Sequence, residues 1–237
     1  RQEAEPPPIA EEDNRLAVVE IRHSTLVPGW SLDPDCEPRR PTEASLEIFD
    51  LPTRVTVDHS IIGTIQVNLD EVATDPIPIE IVDSVLDGTG PHREALGAPG
   101  YPYAHAVLTV IRSTVFGQVQ THAIELAENS LFMDALSVWR RGIGCMRFCY
   151  VRPGSRTPRR YRCQPDLVEA PVRAAVEAGD LTEAAGAREL AGEQARVRPR
   201  FTDRRYGRPG YGQLALTCAQ EIVRGADDES EIGVFHD

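Results

Sequence analysis

The chain has 237 residues, a hydrophobic fraction of 41% and a formal net charge of −12, enough apolar content for one or two domains with a core. The acidic balance argues against nucleic acid or an anionic membrane as the partner of the whole chain, because both carry negative charge. No run approaches the roughly 18 apolar residues that a membrane span needs. The chain opens at Arg1 and ends on an apolar stretch, so we expect it to be a piece of a longer protein.

Residues 1–14 are acidic and rich in proline, with almost no core-forming side chains. This composition predicts a linker or a disordered lead-in.

Residues 15–165 contain a short repeat with alternating apolar residues, one serine and further apolar residues. Its five copies are centred on Ser24, Ser60, Ser84, Ser113 and Ser130. Their unequal spacing excludes helical repeats of constant length and favours short stacked strands whose turns accept insertions. We therefore predict an all-β fold, a right-handed parallel β-helix (solenoid), with a short α-helical insertion near the C-terminal side. The serines are interpreted as a structural ladder of small polar groups, since five copies of a nucleophile cannot all be catalytic.

Further strands are predicted at 45–49, 64–67, 118–120 and 136–138 from their apolar alternation. The segments 73–78 and 88–103 are rich in proline and glycine, and they are expected to be turn insertions.

A basic segment interrupts this acidic chain, because residues 135–165 carry eight arginines and no Asp or Glu. Residues 140–165 are expected to form a capping loop that covers strand edges. One interpretation is an anion- or partner-binding loop, since guanidinium groups bind carboxylate, phosphate or sulfate bidentately. The other is internal pairing with acids of the flanking helices and of residues 226–231. The candidate residues are Arg147, Arg152, Arg156, Arg159, Arg160 and Arg162.

Residues 166–200 are predicted to be a helical insertion, with Pro171 as a first helical residue, Gly179 as a stop and a capping box at 180–183 that opens a second helix. Residues 201–237 are predicted to form a final coil, with a strand at 213–218, and a truncated C-terminal extension.

No catalytic constellation emerges from the acids considered, which are Asp58, Glu80, Asp83, Glu125 and Glu128. Cys145, Cys149 and Cys163 have an unusual spacing for zinc and no nearby histidine, so we expect buried free thiols, no metal and no cofactor. The odd number of cysteines suits a reducing compartment, and we expect cytoplasmic synthesis and assembly.

Several stretches, above all 144–167 with GSRTPRRYRCQPD, resemble a family of large uncharacterised bacterial proteins encoded beside phage-tail-like particles, including contractile injection systems. The resemblance implies a non-catalytic structural or binding module whose partners are other subunits, domains of the same long chain, or glycans. The alternative is a carbohydrate-active β-helix enzyme, a polysaccharide hydrolase or lyase that acts on cell-surface glycans. A rigid spacer without a ligand is the third option.

Overall fold

The computed structural model describes residues 18–69, 71–72 and 74–236. The predicted linker at 1–14 lies outside these described residues. The strands, in chain order, are β1 (Val18–Arg22), β2 (Thr25–Leu26), β3 (Leu46–Phe49), β4 (Arg54–Asp58), β5 (Ile61–Ile62), β6 (Ile65–Asn68), β7 (Ile77–Val82), β8 (Val85–Asp87), β9 (Glu94–Gly97), β10 (Ala104–Ile111), β11 (Thr114–Phe116), β12 (Gln118–Glu128), β13 (Leu131–Phe132), β14 (Leu136–Val138), β15 (Cys145–Arg147), β16 (Tyr150–Val151) and β17 (Arg159–Tyr161). The helices are α1 (Asp166–Glu177), α2 (Glu183–Arg196) and α3 (Gln220–Val223).

The strands form two parallel sheets. The larger sheet has eleven strands, and its main path runs β1-β4-β7-β10-β12-β9-β6-β3, with β14, β15 and β17 joined beside β12. The second sheet has six strands in the order β16-β13-β11-β8-β5-β2.

The predicted all-β, right-handed parallel β-helix is wrong as a fold class. The eight strands of the main path form one curled sheet, because β12 is 11 residues long and pairs with β9 and β14 near its start and with β10 and β15 near its end. With the second parallel sheet and the three helices, the architecture resembles an α/β fold. Short alternating segments predict parallel strands. They do not predict that two rows of strands, β1-β4-β7-β10 and β3-β6-β9, join through β12 into one sheet.

Alternation places one side of each strand in the core. In β7 the side chains of Ile77, Ile79 and Ile81 are buried, whereas the residues between them are half-exposed. The larger core lies inside the curled sheet and extends from Ile48 to Cys163. A smaller core lies between the second sheet and residues 201–234, which we call the C-terminal segment.

The segment 88–103 is more than a turn insertion, because it contains β9, which pairs with β6 and β12. The segment 213–218 forms turns with an isolated bridge at Leu214 where a strand was predicted. Pro171 lies inside α1 and not at its start. The helix begins earlier because the carbonyls of Cys163 and Pro165 accept the first helical N–H groups.

The second helix begins two residues later than a capping box at 180–183 implies, because its N-cap is Thr182 and its first residue is Glu183. The Thr182 side chain accepts a hydrogen bond from the Ala185 N–H at 3.2 Å. Among the described residues, no helix combines the length and the apolar character that a membrane crossing requires.

Candidate binding site

A cleft of about 370 Å³ opens on the flank where β10, β12 and β14 stack. Parallel pairing sets Ala104 against Thr121, and Thr121 against Val138. The residues beside these partners therefore project together from successive strands. We call this site the aromatic cleft, and it is lined by Tyr103, His105, His122, Trp139 and Arg140, with Glu71, Thr74, Asp75 and Pro76 on one side.

Backbone hydrogen bonds hold the segment after β14 against β12. The Trp139 N–H donates to the Thr121 carbonyl at 3.0 Å, and the Arg140 N–H donates to the His122 carbonyl at 2.8 Å. Trp139 and Arg140 are thereby fixed beside His122 although neither lies in a strand.

The aromatic rings of the cleft pack against each other. The ring centroids of Tyr103 and Trp139 are 5.0 Å apart with an interplanar angle of 24°, which is a stacked pair. Trp139 nevertheless remains 58% exposed, so much of the indole faces solvent. An exposed, pre-oriented tryptophan is typical of a binding surface.

Two histidines form the floor of the cleft. The rings of His105 and His122 meet edge to face at 5.3 Å, and the His105 Nε2 lies 2.8 Å from the Thr74 carbonyl, to which it donates. His105 is only 6% exposed, and the Nδ1 atoms of both histidines are buried without a hydrogen-bond partner. The pKa of His122 is lowered by burial and by its neighbours His105 and Arg140, so the neutral form of His122 is favoured.

Acidic groups border the same cleft. The Tyr103 hydroxyl donates to a Glu71 carboxylate oxygen at 3.2 Å. Burial and the Glu71 charge raise the pKa of Tyr103, so the phenol stays protonated. The site thus offers acceptors on one side and the Arg140 guanidinium on the other.

A second depression of about 730 Å³ adjoins the aromatic cleft, and Glu71 lines both. Its exposed apolar side chains are Phe49 (70%), Val72 (97%) and Tyr101 (58%). Aromatic residues make up only 6% of this chain, so their concentration on one flank marks it as an interaction surface.

The five predicted ladder serines lie in one file. The N–H of each of the first four donates to the Oγ of the next serine along the file at 3.0–3.1 Å. Each Oγ donates in turn to the carbonyl two residues before it at 2.6–2.8 Å. The residue that precedes each serine has positive φ, as do Phe148 and Arg162.

The file continues into two cysteines. The Sγ of Cys149 lies 3.2 Å from the Arg147 carbonyl, and the Sγ of Cys163 lies 3.5 Å from the Tyr161 carbonyl, the same two-residue contact. Burial raises the pKa of Cys149 well above its ordinary value, so it remains a thiol. Among the described residues, no cysteine belongs to a group of side chains spaced to hold a metal ion.

Two groups that contain histidine have close ligand atoms but are already engaged. Asp83, next to Asp58 and His59, receives two hydrogen bonds from Arg112 at 2.6 and 2.7 Å. In the second group, made of Asp227, Asp228 and His236, the carboxylates accept hydrogen bonds from Asn129 and the Ser230 N–H.

The candidate acids do not form one constellation. Glu80 and Glu125 line a shallow depression of about 320 Å³ with Arg54 and Thr109, whereas Glu128 pairs with Arg147. Asp58 and Asp83 lie with His59 at the positive-φ turn. The structure thus divides the five acids among three places.

The six candidate arginines are also divided. Arg147 pairs with Glu128, Arg160 pairs with Asp166 at 3.1 Å, and Arg162 stacks over Tyr161 at 5.8 Å. Arg152 is exposed in the turn after β16. Arg156 and Arg159 are exposed beside β14 and β15, next to the strands that support the aromatic cleft.

Sequence reasoning missed the cleft residues, although a signal was present. His-Ala-aliphatic occurs at 105–107 and again at 122–124, at the same 17-residue spacing as Ser113 and Ser130. Equal spacing of two motifs in stacked strands predicts that the histidines are neighbours.

No family model, curated protein or solved structure matches this chain. These comparisons give no support to the resemblance with proteins of phage-tail-like particles.

Proposed function

We propose that this chain is a non-catalytic binding module that holds an extended carbohydrate along the flank formed by the aromatic cleft and the adjoining depression. The observation that carries the proposal is the stacked Tyr103–Trp139 pair, whose indole is 58% exposed beside charged and hydrogen-bonding groups. Sugar rings present C–H faces that pack on aromatic rings, and their hydroxyl groups both donate and accept hydrogen bonds.

The polar groups of the cleft suit such a ligand. Glu71 and Asp75 accept hydrogen bonds from sugar hydroxyls, while Arg140 donates to them. An apolar peptide would leave these groups unpaired, at a cost in binding free energy.

The geometry favours binding over cleavage. Hydrolysis of a glycosidic bond uses two carboxyl groups that flank the bond. Glu71 and Asp75 both belong to the segment 71–76 and so border one side of the cleft, and Glu71 is engaged by Tyr103.

The test is an oligosaccharide array followed by calorimetry with the best-retained oligosaccharide, using Trp139→Ala. We expect the dissociation constant to rise about 30-fold or more, because truncating a central aromatic anchor costs about 2 kcal/mol or more. Trp139→Phe should retain part of the affinity. Trp30→Ala is the matched control, since Trp30 is similarly exposed (55%) but does not line the cleft.

Failure of the wild-type chain to retain any oligosaccharide, or unchanged affinity of the Trp139→Ala variant, would refute the proposal. Release of shorter sugars from a bound polysaccharide would instead identify the carbohydrate-active enzyme.

A further inference from the structure

We infer that the bound carbohydrate is anionic, and that its carboxylate or sulfate groups are held by an arginine cluster beside Trp139 and Arg140 of the aromatic cleft. The cluster consists of Arg140, Arg141, Arg156 and Arg159. This inference rests on the proposed function, because it specifies the ligand of the same flank.

Strand pairing brings the four arginines to one turn of the fold. The Val138 N–H donates to the Arg156 carbonyl at 2.8 Å, and Cys145 pairs with Arg159. The segments 139–144 and 157–158 therefore connect neighbouring pairs of strands and lie one beside the other. Arg140 and Arg141 belong to the first segment, and Arg156 and Arg159 flank the second.

These four guanidinium groups form no ion pair within the described part of the chain, although Arg140 shares the cleft with Glu71 and Asp75. Arg141, Arg156 and Arg159 are exposed, and none of the four has an ion pair with a described residue. Their neighbours Arg147 and Arg160 do have acidic partners. In a chain whose net charge is −12, four arginines at one place without an ion pair to any described residue point to an anion from outside.

The cluster is continuous with the cleft. Arg140 follows Trp139 directly and lines the cleft itself, close enough for its charge to lower the pKa of both Tyr103 and His122. A chain of sugar rings that stacks on Trp139 and continues past Arg140 would therefore place its next sugar rings near the other three arginines.

Protection of a sheet edge is the competing explanation, since charges on edge strands prevent unwanted pairing. Of the four arginines, Arg159 lies in the edge strand β17 and Arg156 bridges to Ser137 of β14, whereas Arg140 and Arg141 lie in a connecting segment. Edge protection therefore does not account for the whole cluster.

The experiment compares matched charged and neutral ligands on the full chain. The probes are oligogalacturonate and oligomannuronate with their methyl esters, and chondroitin sulfate oligosaccharide with its desulfated form. Methyl esterification removes the charge and keeps the ring, and the sulfated pair distinguishes sulfate from carboxylate. We expect a charged member to bind tighter than its neutral counterpart by about tenfold at low salt, with the difference shrinking as salt screens the charges.

The double variant Arg156→Gln/Arg159→Gln should weaken binding of the charged probe by roughly three- to tenfold and leave the neutral probe unaffected. The control Arg54→Gln/Arg152→Gln removes the same charge from exposed positions outside the cluster, and it should behave as wild type.

The outcomes separate the two proposals. Equal binding of charged and neutral probes, or an unaffected double variant, overturns the anionic ligand and leaves carbohydrate binding in place. Retention of neither form, while the array retains a neutral oligosaccharide, overturns the anionic ligand alone, and failure of the wild-type chain with both the array and these probes overturns both proposals. Trp139→Ala should weaken both forms, which identifies binding in the cleft and not at the cluster alone.

Discussion

At the scale of single residues, the serine file shows how a buried hydroxyl group keeps its hydrogen bonds. Each interior Oγ accepts one N–H from a neighbouring repeat and donates to a carbonyl of its own repeat. Serine suits this position because its short side chain lets the Oγ reach the carbonyl two residues back, on the other side of the residue with positive φ. Cys149 and Cys163 keep the carbonyl contact with a larger atom.

Replacing Ser84 by Ala should lower the free energy of unfolding by about 1–3 kcal/mol, measured by urea denaturation. Ser84 is 0% exposed, and the change leaves the Ser60 N–H and the Val82 carbonyl without their side-chain partner. Ser84→Cys should cost less, since cysteine occupies equivalent positions at 149 and 163. Ser24→Ala is the control, because Ser24 is exposed. Equal losses at positions 24 and 84 would contradict this account.

At the scale of elements, the sequence predicted what depends on local pattern and missed what depends on packing. The strand at 136–138 follows from alternation. Capping chemistry places a helix start near 180–183, although the N-cap is Thr182 and not Asp180. β9 was missed because proline and glycine on both sides mask four residues that pair with strands distant in the chain. The aromatic cleft was missed for a different reason, because its residues are distant in the chain and meet only when β10, β12 and β14 stack.

The C-terminal segment is held on the second sheet by polar contacts as well as by the smaller core. The Tyr211 hydroxyl donates to buried Asp87 at 2.7 Å, and the Asn129 amide donates to Asp227 at 2.6 Å. Burial raises the pKa of Asp87 despite the Tyr211 hydrogen bond, which otherwise favours the carboxylate. Within the same segment, burial raises the pKa of Glu231 from 4.5 to about 7.

The raised pKa of Glu231 makes stability depend on pH. Between pH 4.5 and about 7 the folded chain keeps a proton that the unfolded chain has released, so the free energy of unfolding falls as the pH rises through this window. Because Glu231 is only partly buried, we expect it to contribute about 1–2 kcal/mol across the window. Urea denaturation at a series of pH values measures the effect.

Glu231→Gln is the matched variant for that measurement, because it keeps the shape and removes the titration. The nearby His236, which donates to the Glu231 carbonyl, is retained in both proteins, and the difference between them isolates Glu231. Parallel pH profiles of the two proteins would show that the Glu231 carboxyl does not titrate in this way.

At the scale of the whole molecule, the curled sheet encloses one continuous core from Ile48 to Cys163. The curl depends on β12, whose length lets it pair with both rows of strands. The repeat spacing predicts parallel stacking but not this junction, because an 11-residue strand has the same alternation as two short strands separated by a turn. The fold class therefore depends on the pairing of β12 with both rows of strands, which no single repeat encodes.

Because both rows share this core, the chain should unfold as one unit, and a cavity in β12 should shift the whole transition. Ile124, in β12, is 0% exposed and pairs with Leu108. We expect Ile124→Ala to lower the free energy of unfolding by about 2–5 kcal/mol, with tryptophan fluorescence and far-ultraviolet circular dichroism moving together. Val72→Ala is the control, since Val72 is 97% exposed, and its cost should stay below about 0.5 kcal/mol. A fluorescence transition separated from the dichroism transition would show that the rows unfold independently, because two-state unfolding requires the probes to coincide.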